Sequence, residues 1–362
     1  MNQRIGLNGG DNRAGKAMTP RRSSRARPGR RTGSDNRAGE AMTLASIAYC
    51  TNIEAALGKN APGWSLVWQP DAPVNGTLAY IAYNKQEDQY ALAIRGSIID
   101  FSWGSFDNWF EQDLNVLLQS DWPYPQMNGV KISLGSAYGL SDLNALSRRD
   151  GCLLTRIVDV FRRVPNGPQS ILVTGHSLGG NLATVCAPWL HYQLKQAGVP
   201  PPPHFPVMTF AAPTAGNVAF ASMYDAMFPD SWRYYNTLDI IPRASVPETI
   251  RSIGTLYTPS PKASDVYITY KGTNYTLPEA FDEIAKLIHG TEWAYNSYYS
   301  QTNLGRGSVP LTPGAKDCAP NDKNPVAEQW ISKAGCEHGH ETYLSLLGAK
   351  QLKDCTPTAP AP

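Results

Sequence analysis

Seven residues near the middle of the chain restrict what it can become: Thr174-Gly175-His176-Ser177-Leu178-Gly179-Gly180. Ahead of them, Ser170-Ile171-Leu172-Val173 is a short apolar, β-branched run that reads as a buried strand. Behind them, Leu178, Leu182, Val185, Cys186 and Trp189 recur at helical spacing. A strand that turns at once into a helix around Gly-x-Ser-x-Gly is a nucleophile elbow. Such a turn strains the serine backbone, and the glycines at 175 and 179 carry no β-carbon to collide where strand and helix close. Ser177 is therefore expected to stand above the sheet. The Leu178 amide sits beside it at the helix N-terminus, where partial positive charge favours an oxyanion.

The segments on either side alternate in the same way. Ordered structure is expected from Thr43, with a helix through Leu44, Ile47, Ala48 and Ala55. Strands follow at Ser65–Trp68, Leu78–Tyr83 and Gln89–Arg95, the last two joined by polar Asn84–Asp88 as an antiparallel hairpin. A helix over Leu153, Leu154, Ile157, Val158 and Phe161 precedes the elbow strand, and Pro206–Phe210 and Trp232–Leu238 read as further strands. Alternation of this kind predicts an α/β chain with a mostly parallel central sheet flanked by helices. Residues 43–354 are expected to form that domain. Within it, residues 250–335 read as an elaborated, turn-rich insertion with a helix at Glu279–Ile288, and a last helix is expected from Leu344 onward.

The two ends read differently. Residues 1–42 are rich in Gly, Arg, Ser and Asn without apolar periodicity, and are expected to be a disordered basic leader or appended sequence. Asp11–Thr19 is nearly repeated at Asp35–Thr43, with Lys16 replaced by Glu40; two copies do not make a repeat fold. Residues 1–40 carry ten Lys/Arg against three acidic residues, or +7, so the formal +2 of the whole chain leaves −5 for the rest. A mildly acidic main region gives no support for nucleic-acid binding. Residues 355–362 are a Pro/Ala tail.

No apolar run approaches the roughly 18 residues of a membrane span, and the basic leader lacks the apolar stretch of a signal peptide. Location, secreted or cytoplasmic, stays open, as does oligomeric state. The six cysteines are dispersed and have no zinc spacing; Cys186 is expected to be a buried thiol, and Cys318 with Cys336 is the expected bridge.

A serine hydroxyl attacks only if a base takes its proton, and that base must be held in one tautomer. At an elbow the partners follow in the order Ser, acid, His. Asp239 stands just past the strand Trp232–Leu238, where loops at the carboxyl ends of parallel strands collect functional groups, whereas Asp225 and Asp230 read as solvated helix or turn residues. His191, His204 and His289 read as surface or capping residues. That leaves His338 and His340 in Cys336-Glu337-His338-Gly339-His340-Glu341-Thr342-Tyr343, which composition cannot separate.

The chain resembles the class 3 lipases, the family of fungal triacylglycerol lipases and their bacterial relatives. Four stretches carry the resemblance, in the family's order. They are Ala93–Ser97 followed by Asn108-Trp109 and Asp113-Leu114, the Gly-His-Ser-Leu-Gly-Gly elbow, Thr209–Pro213 with Gly216-Asn217, and Asn236–Pro242. The resemblance implies an α/β-hydrolase-like fold with a lid segment and an elaborated C-terminal region. Its His-x-x-Tyr pattern selects His340, with Tyr343 three residues on, to complete a triad of Ser177, Asp239 and His340. It also implies that Ser97 supplies the second oxyanion donor opposite Leu178, with Asp113 as a candidate to orient the Ser97 hydroxyl. No metal or cofactor is implied.

Between Ser97 and Asp113, the residues Ile99, Trp103, Phe106 and Phe110 make one helical stripe, with Trp109 beside it, interrupted by Gly104. In the resembling family this stretch, here 98–112, is a lid that opens at a lipid surface; a plain core-packing helix is the alternative. The expectation is a triacylglycerol lipase with a lipid or ester substrate and transient contact with the lipid–water interface. An esterase for short or soluble esters, feruloyl or phospholipid included, is the nearest alternative, and a non-catalytic lipid-binding scaffold the remote one.

Overall fold

The computed structural model describes residues 33–96, 118–165, 167–243, 246–257, 260–270, 272–290, 299–300, 302–303, 307–314, 318–319 and 321–357. Helix α1 (Gly33–Ile47) and α2 (Ile53–Asn60) lead into β1 (Trp64–Trp68), β2 (Leu78–Asn84) and β3 (Gln89–Arg95). A hairpin of β4 (Gln119–Pro123) and β5 (Gln126–Ser133) is followed by α3 (Leu134–Ala145) and α4 (Leu153–Arg163). Then come β6 (Ser170–His176), α5 (Leu178–Gln196), β7 (Val207–Phe210), α6 (Val218–Met227) and β8 (Ser231–Asn236). The C-terminal region adds α7 (Pro247–Ile253), the hairpin β9 (Tyr267–Tyr270) and β10 (Thr273–Thr276), α8 (Leu277–Gly290), β11 (Ser308–Leu311), α9 (Val326–His338) and α10 (His340–Leu346).

Among the described residues the central sheet has seven strands in the order β1-β2-β3-β6-β7-β8-β11. Strands β3, β6, β7, β8 and β11 run parallel, and β2 is antiparallel to both its neighbours. The α/β architecture with a mostly parallel sheet is thus the one expected.

Side-chain alternation along the strands builds two cores. Leu92, Ile94, Ile171 and Val173 point to one face, where they pack with Leu182, Val185 and Trp189 of α5 and Ile157 and Phe161 of α4. On the other face the strands present small groups, Ala82, Ala91 and Ala93, which let α1 approach closely. Every residue of β6 is buried, as a strand covered by helices on both sides must be. A third cluster around Phe281, Trp330 and Ile331 belongs to the region after Asp239 and packs against Leu238 and Ile241. The expected insertion therefore has its own small core.

Three expectations need correction. Order begins ahead of Thr43: Ala38, Ala41 and Met42 are at most 1% exposed, buried in the core facing α1. Burying small residues all around a helix leaves no apolar stripe to read, which is why 33–42 reads as part of a tail. The Tyr80 hydroxyl donates to Leu44 O (2.8 Å) and the Thr174 hydroxyl to Ala41 O (3.2 Å), tying α1 to the sheet. The last helix starts at His340 and ends at Leu346, since Gly348 follows with positive φ. Finally, besides the expected Cys318–Cys336 bridge, Cys50 is joined to Cys355 across 305 positions, leaving Cys152 and Cys186 as free thiols among the described residues. Residues 355–357 are accordingly fastened to the start of the domain rather than forming a loose tail.

Met42→Ala tests whether α1 belongs to the cooperative unit. It is expected to lower unfolding stability by roughly 2–5 kcal/mol, read from the urea midpoint; an unchanged midpoint would place α1 outside it.

Candidate active site

Ser177 is the junction between β6 and α5, with φ 57° and ψ −130°. An L-residue held at positive φ costs on the order of 1–3 kcal/mol, offset by the surrounding structure. That structure is visible: the Ser177 amide donates to Phe210 O (2.9 Å), and a β-carbon on Gly175 would fall 2.2 Å from Gly179 O. Strand and helix close as the sequence predicts.

The Ser177 hydroxyl donates to His338 Nε2 at 2.8 Å, and His338 Nδ1 donates to Asp239 Oδ2 at 2.8 Å. Ser177 and His338 are each 4% exposed and Asp239 is 0% exposed, so the whole line lies out of water. Asp239 follows β8 by three residues, and its carboxylate collects two further donors: the Ile241 amide on Oδ1 (2.9 Å) and the Tyr343 hydroxyl on Oδ2 (2.8 Å). Tyr343 in turn accepts from the Asn236 amide (2.8 Å). Burial, then the Asp239 charge, pushes the Tyr343 pKa far up, so the phenol stays a neutral donor.

His340, selected by the His-x-x-Tyr pattern, is not in this line. Its Nδ1 meets the Ser46 hydroxyl at 3.2 Å on α1, and its ring lies tilted against His176, centroids 4.0 Å apart, and edge-on to Tyr49 at 4.4 Å. The physical reason is local. Helix α9 ends at His338, Gly339 is extended (φ −62°, ψ 149°), and α10 begins at His340. The two imidazoles flank an extended residue and are sent in different directions, His338 to Ser177 and His340 to α1. Tyr343 reaches Asp239 all the same, five residues beyond the histidine it works with.

His176 supports that arrangement from beneath. Its Nε2–H donates to the His338 carbonyl (2.9 Å), and the Tyr49 hydroxyl donates to His176 O (3.1 Å). On the acid side, the Asn236 side-chain amide donates both to Glu337 O (2.8 Å) and to Glu337 Oε2 (2.7 Å). The segment carrying Asp239 and the segment carrying His338 are thereby hydrogen-bonded to each other directly. Glu337, with no exposed surface, is a participant that the sequence reading passed over; a carboxylate next to the base candidate was the available signal.

Leu178 is the first residue of α5, and Gly96 lies against it: a β-carbon on Gly96 would fall 2.4 Å from Leu178 Cβ. The chain entering Ser97 is thus pressed onto the helix N-terminus. Ser97, Ile99, Trp103, Phe106, Trp109, Phe110 and Asp113 lie outside the described residues.

A second serine–histidine–aspartate line occupies the opposite end of β6. Ser170 Oγ meets His204 Nδ1 at 2.9 Å, and His204 Nε2 meets Asp230 Oδ2 at 2.8 Å. Seven residues of strand put it about 20 Å from Ser177. It lacks what an attacking serine needs. Ser170 opens a regular strand, the Ile171 amide already donates to His204 O (3.1 Å), and Gln89 Nε2 donates to the Ser170 hydroxyl (2.9 Å). Ser170 has no positive φ and begins a strand instead of leading into a helix. Trp232 Nε1 and Arg37 complete the surroundings of Asp230.

Residues 91–249 match the family model described as lipase (class 3). A lipase of Caenorhabditis elegans is 38% identical over 96 residues, 26% of this chain and 24% of that protein. A lipase of Rhizomucor miehei is 29% identical over 166 residues, 46% of this chain and 40% of that protein. The chain therefore spans about a quarter and two-fifths of the lengths of these relatives. Among solved structures, the M37 lipase aligns with a TM-score of 0.63 at 23% identity, covering 87% of this chain and 92% of that one, a likeness of fold.

The buried imidazoles make the site sensitive to acid. Burial, then His340 and His338, depress the His176 pKa well below its ordinary value, and burial with His338 beside it pushes His340 down to about 3. Between that value and the ordinary 6.5 of an unfolded histidine, the unfolded chain binds protons that the folded chain does not, so stability falls as pH drops through this window. His340→Gln is expected to give a shallower loss of unfolding free energy between pH 6.5 and 4 than the unsubstituted protein, by urea denaturation at several pH values. Identical slopes would mean that His340 is not held neutral.

Proposed function

We propose that this chain, whose residues 91–249 belong to the class 3 lipase family, is a serine carboxylic ester hydrolase acting on acylglycerols. The single observation that carries the reading is the buried line from the Ser177 hydroxyl through His338 to Asp239, with 2.8 Å at each step. Ser177 attacks the ester carbonyl while His338 Nε2 takes its proton. Asp239 holds the ring with Nδ1–H toward it and stabilises the imidazolium that forms. The Leu178 amide receives the developing oxyanion, and the amide of Ser97 is proposed as the second donor, supported by the contact of Gly96 with Leu178. Collapse of the adduct expels the alcohol, which takes the proton from His338. Water, activated by the same imidazole, then frees the acyl group.

Long-chain acylglycerols are favoured in this reading by the stripe Ile99, Trp103, Phe106 and Phe110 with Trp109, which supports a segment that meets a lipid surface. No helix among the described residues is long and apolar enough to cross a membrane. The partner in this reading is a lipid–water interface touched transiently.

The test is labelling with a fluorophosphonate and hydrolysis of p-nitrophenyl esters. The label is expected on Ser177. Ser177→Ala and His338→Ala are each expected to lower kcat/KM by about a thousandfold or more, and His340→Ala by less than about tenfold. A dead His340→Ala enzyme beside an active His338→Ala enzyme would reverse the assignment of the base. Turnover by Ser177→Ala at the full rate would remove the mechanism altogether.

A further inference from the structure

A cavity of about 490 Å³ adjoins the reaction centre, with Ser177 and His338 at its border. It opens between the His338–His340 segment and a C-terminal strap, Gln351–Pro357, with Tyr49 of the α1–α2 connection beneath. Neither Gly96 nor Leu178 lines it, and none of its described lining residues comes from the loop after β7. The cavity therefore lies on the histidine side of Ser177, away from the amide that receives the oxyanion.

Chemistry distinguishes the sides of an ester bound at such a centre. The carbonyl oxygen faces the Leu178 amide. The alkoxy oxygen must face His338 Nε2, because when the carbon–oxygen bond of the adduct breaks, that nitrogen's proton goes to the departing alkoxide. A space on the histidine side is thus reached by the alcohol portion of the ester rather than by the acyl portion.

We infer that this cavity is the binding site for the leaving alcohol, and that the C-terminal strap, through Leu352, sets how large that alcohol can be. The inference rests on the ester-hydrolase reading. Its occupant is an alcohol with an apolar body, such as the glyceryl remainder of an acylglycerol: Leu352, Pro357 and the Cys355 end of a disulfide offer apolar wall, while Ser46 and His340 offer hydroxyl and imidazole on the inner side.

The strap has the construction of a fixed wall. Its residues are mostly exposed, and only Leu352 and Cys355 pack, half-buried, on the core at α1. It is fastened mainly at discrete points: Gln351 Nε2 donates to Glu341 O on α10 (2.8 Å), and the others lie on the segment from Cys50 to Asn60. Cys355 is covalently joined to Cys50, and the Thr51 amide donates to Thr356 O (3.0 Å). Asn60 and Lys353 exchange two hydrogen bonds (3.1 and 2.7 Å), and Lys59 pairs with Asp354. A wall pinned in this way keeps its distance from His338 whether or not a ligand is present, which is what size selection requires.

The experiment varies the two halves of the substrate separately. One series keeps a hexanoyl group and lengthens the alcohol from ethyl to butyl to octyl; the other keeps ethanol and lengthens the acyl group. For Leu352→Trp, the octyl-to-ethyl ratio of kcat/KM is expected to fall about tenfold or more relative to the unsubstituted enzyme, with the acyl-length ratio kept. Leu352→Ala is expected to shift the alcohol ratio the other way, so the result does not hang on one bulky variant. The fluorophosphonate labelling rate of each variant reports separately on the catalytic centre. Loss of labelling in the unsubstituted protein would overturn the ester-hydrolase reading itself. Retained labelling with unchanged alcohol ratios in both variants, or with a changed acyl ratio instead, would overturn the assignment of this cavity.

Discussion

The strained turn at Ser177 is the constraint on which the site depends. A serine at φ 57° persists only where its neighbours permit no other path, and here they are immobile. Strand β6 is buried over its whole length and α5 is buried through most of its turns, so neither can rotate to relax the junction. The packing of strand against helix, far more extensive than the turn itself, offsets the strain. Everything else in the site is brought to a serine that cannot move.

Two segments distant in sequence are brought to it, and they are tied to each other before they are tied to Ser177. Asn236 and Tyr343 make that tie. One side chain of the first reaches both the carbonyl and the carboxylate of Glu337, and the hydroxyl of the second bridges the Asn236 amide and Asp239. Buried hydrogen bonds between segments distant in sequence fix how those segments are placed relative to each other. The long excursion between Asp239 and His338 is compatible with that arrangement because it carries its own core. Phe281, Trp330 and Ile331 pack together and rest on Leu238 and Ile241, so the start of the excursion and α9 are held as one block.

The pair of serine–histidine–aspartate lines on β6 separates hydrogen bonding from reactivity. Ser170, His204 and Asp230 meet at 2.9 and 2.8 Å, within 0.1 Å of the steps around Ser177. What differs is the backbone. At Ser177 the chain leaves the strand and presents a helix N-terminus; at Ser170 it enters the strand with the next amide already used. A charged intermediate needs donors left free for it, and the helix that begins directly after the strand stands at the Ser177 end.

Local sequence was enough for whatever depends on neighbours along the chain. The elbow, the strands on either side of it, the hairpin before it and the place of Asp239 beyond β8 follow from periodicity and from glycine at positions where a β-carbon has no room. Tertiary structure decided what depends on direction and on distant partners. His338 and His340 are chemically alike and stand on either side of Gly339, so which of them faces Ser177 is set by where α9 stops and α10 starts. Segment 35–43 runs on into Leu44, Ala45 and Ile47, which the sheet buries as the rest of α1, a partner that no pattern within the segment names. The bridge from Cys50 to Cys355 and the wall it pins join the two ends of the domain, and no pattern confined to either end contains the other. Periodicity records the side of an element that is covered; only packing determines what covers it.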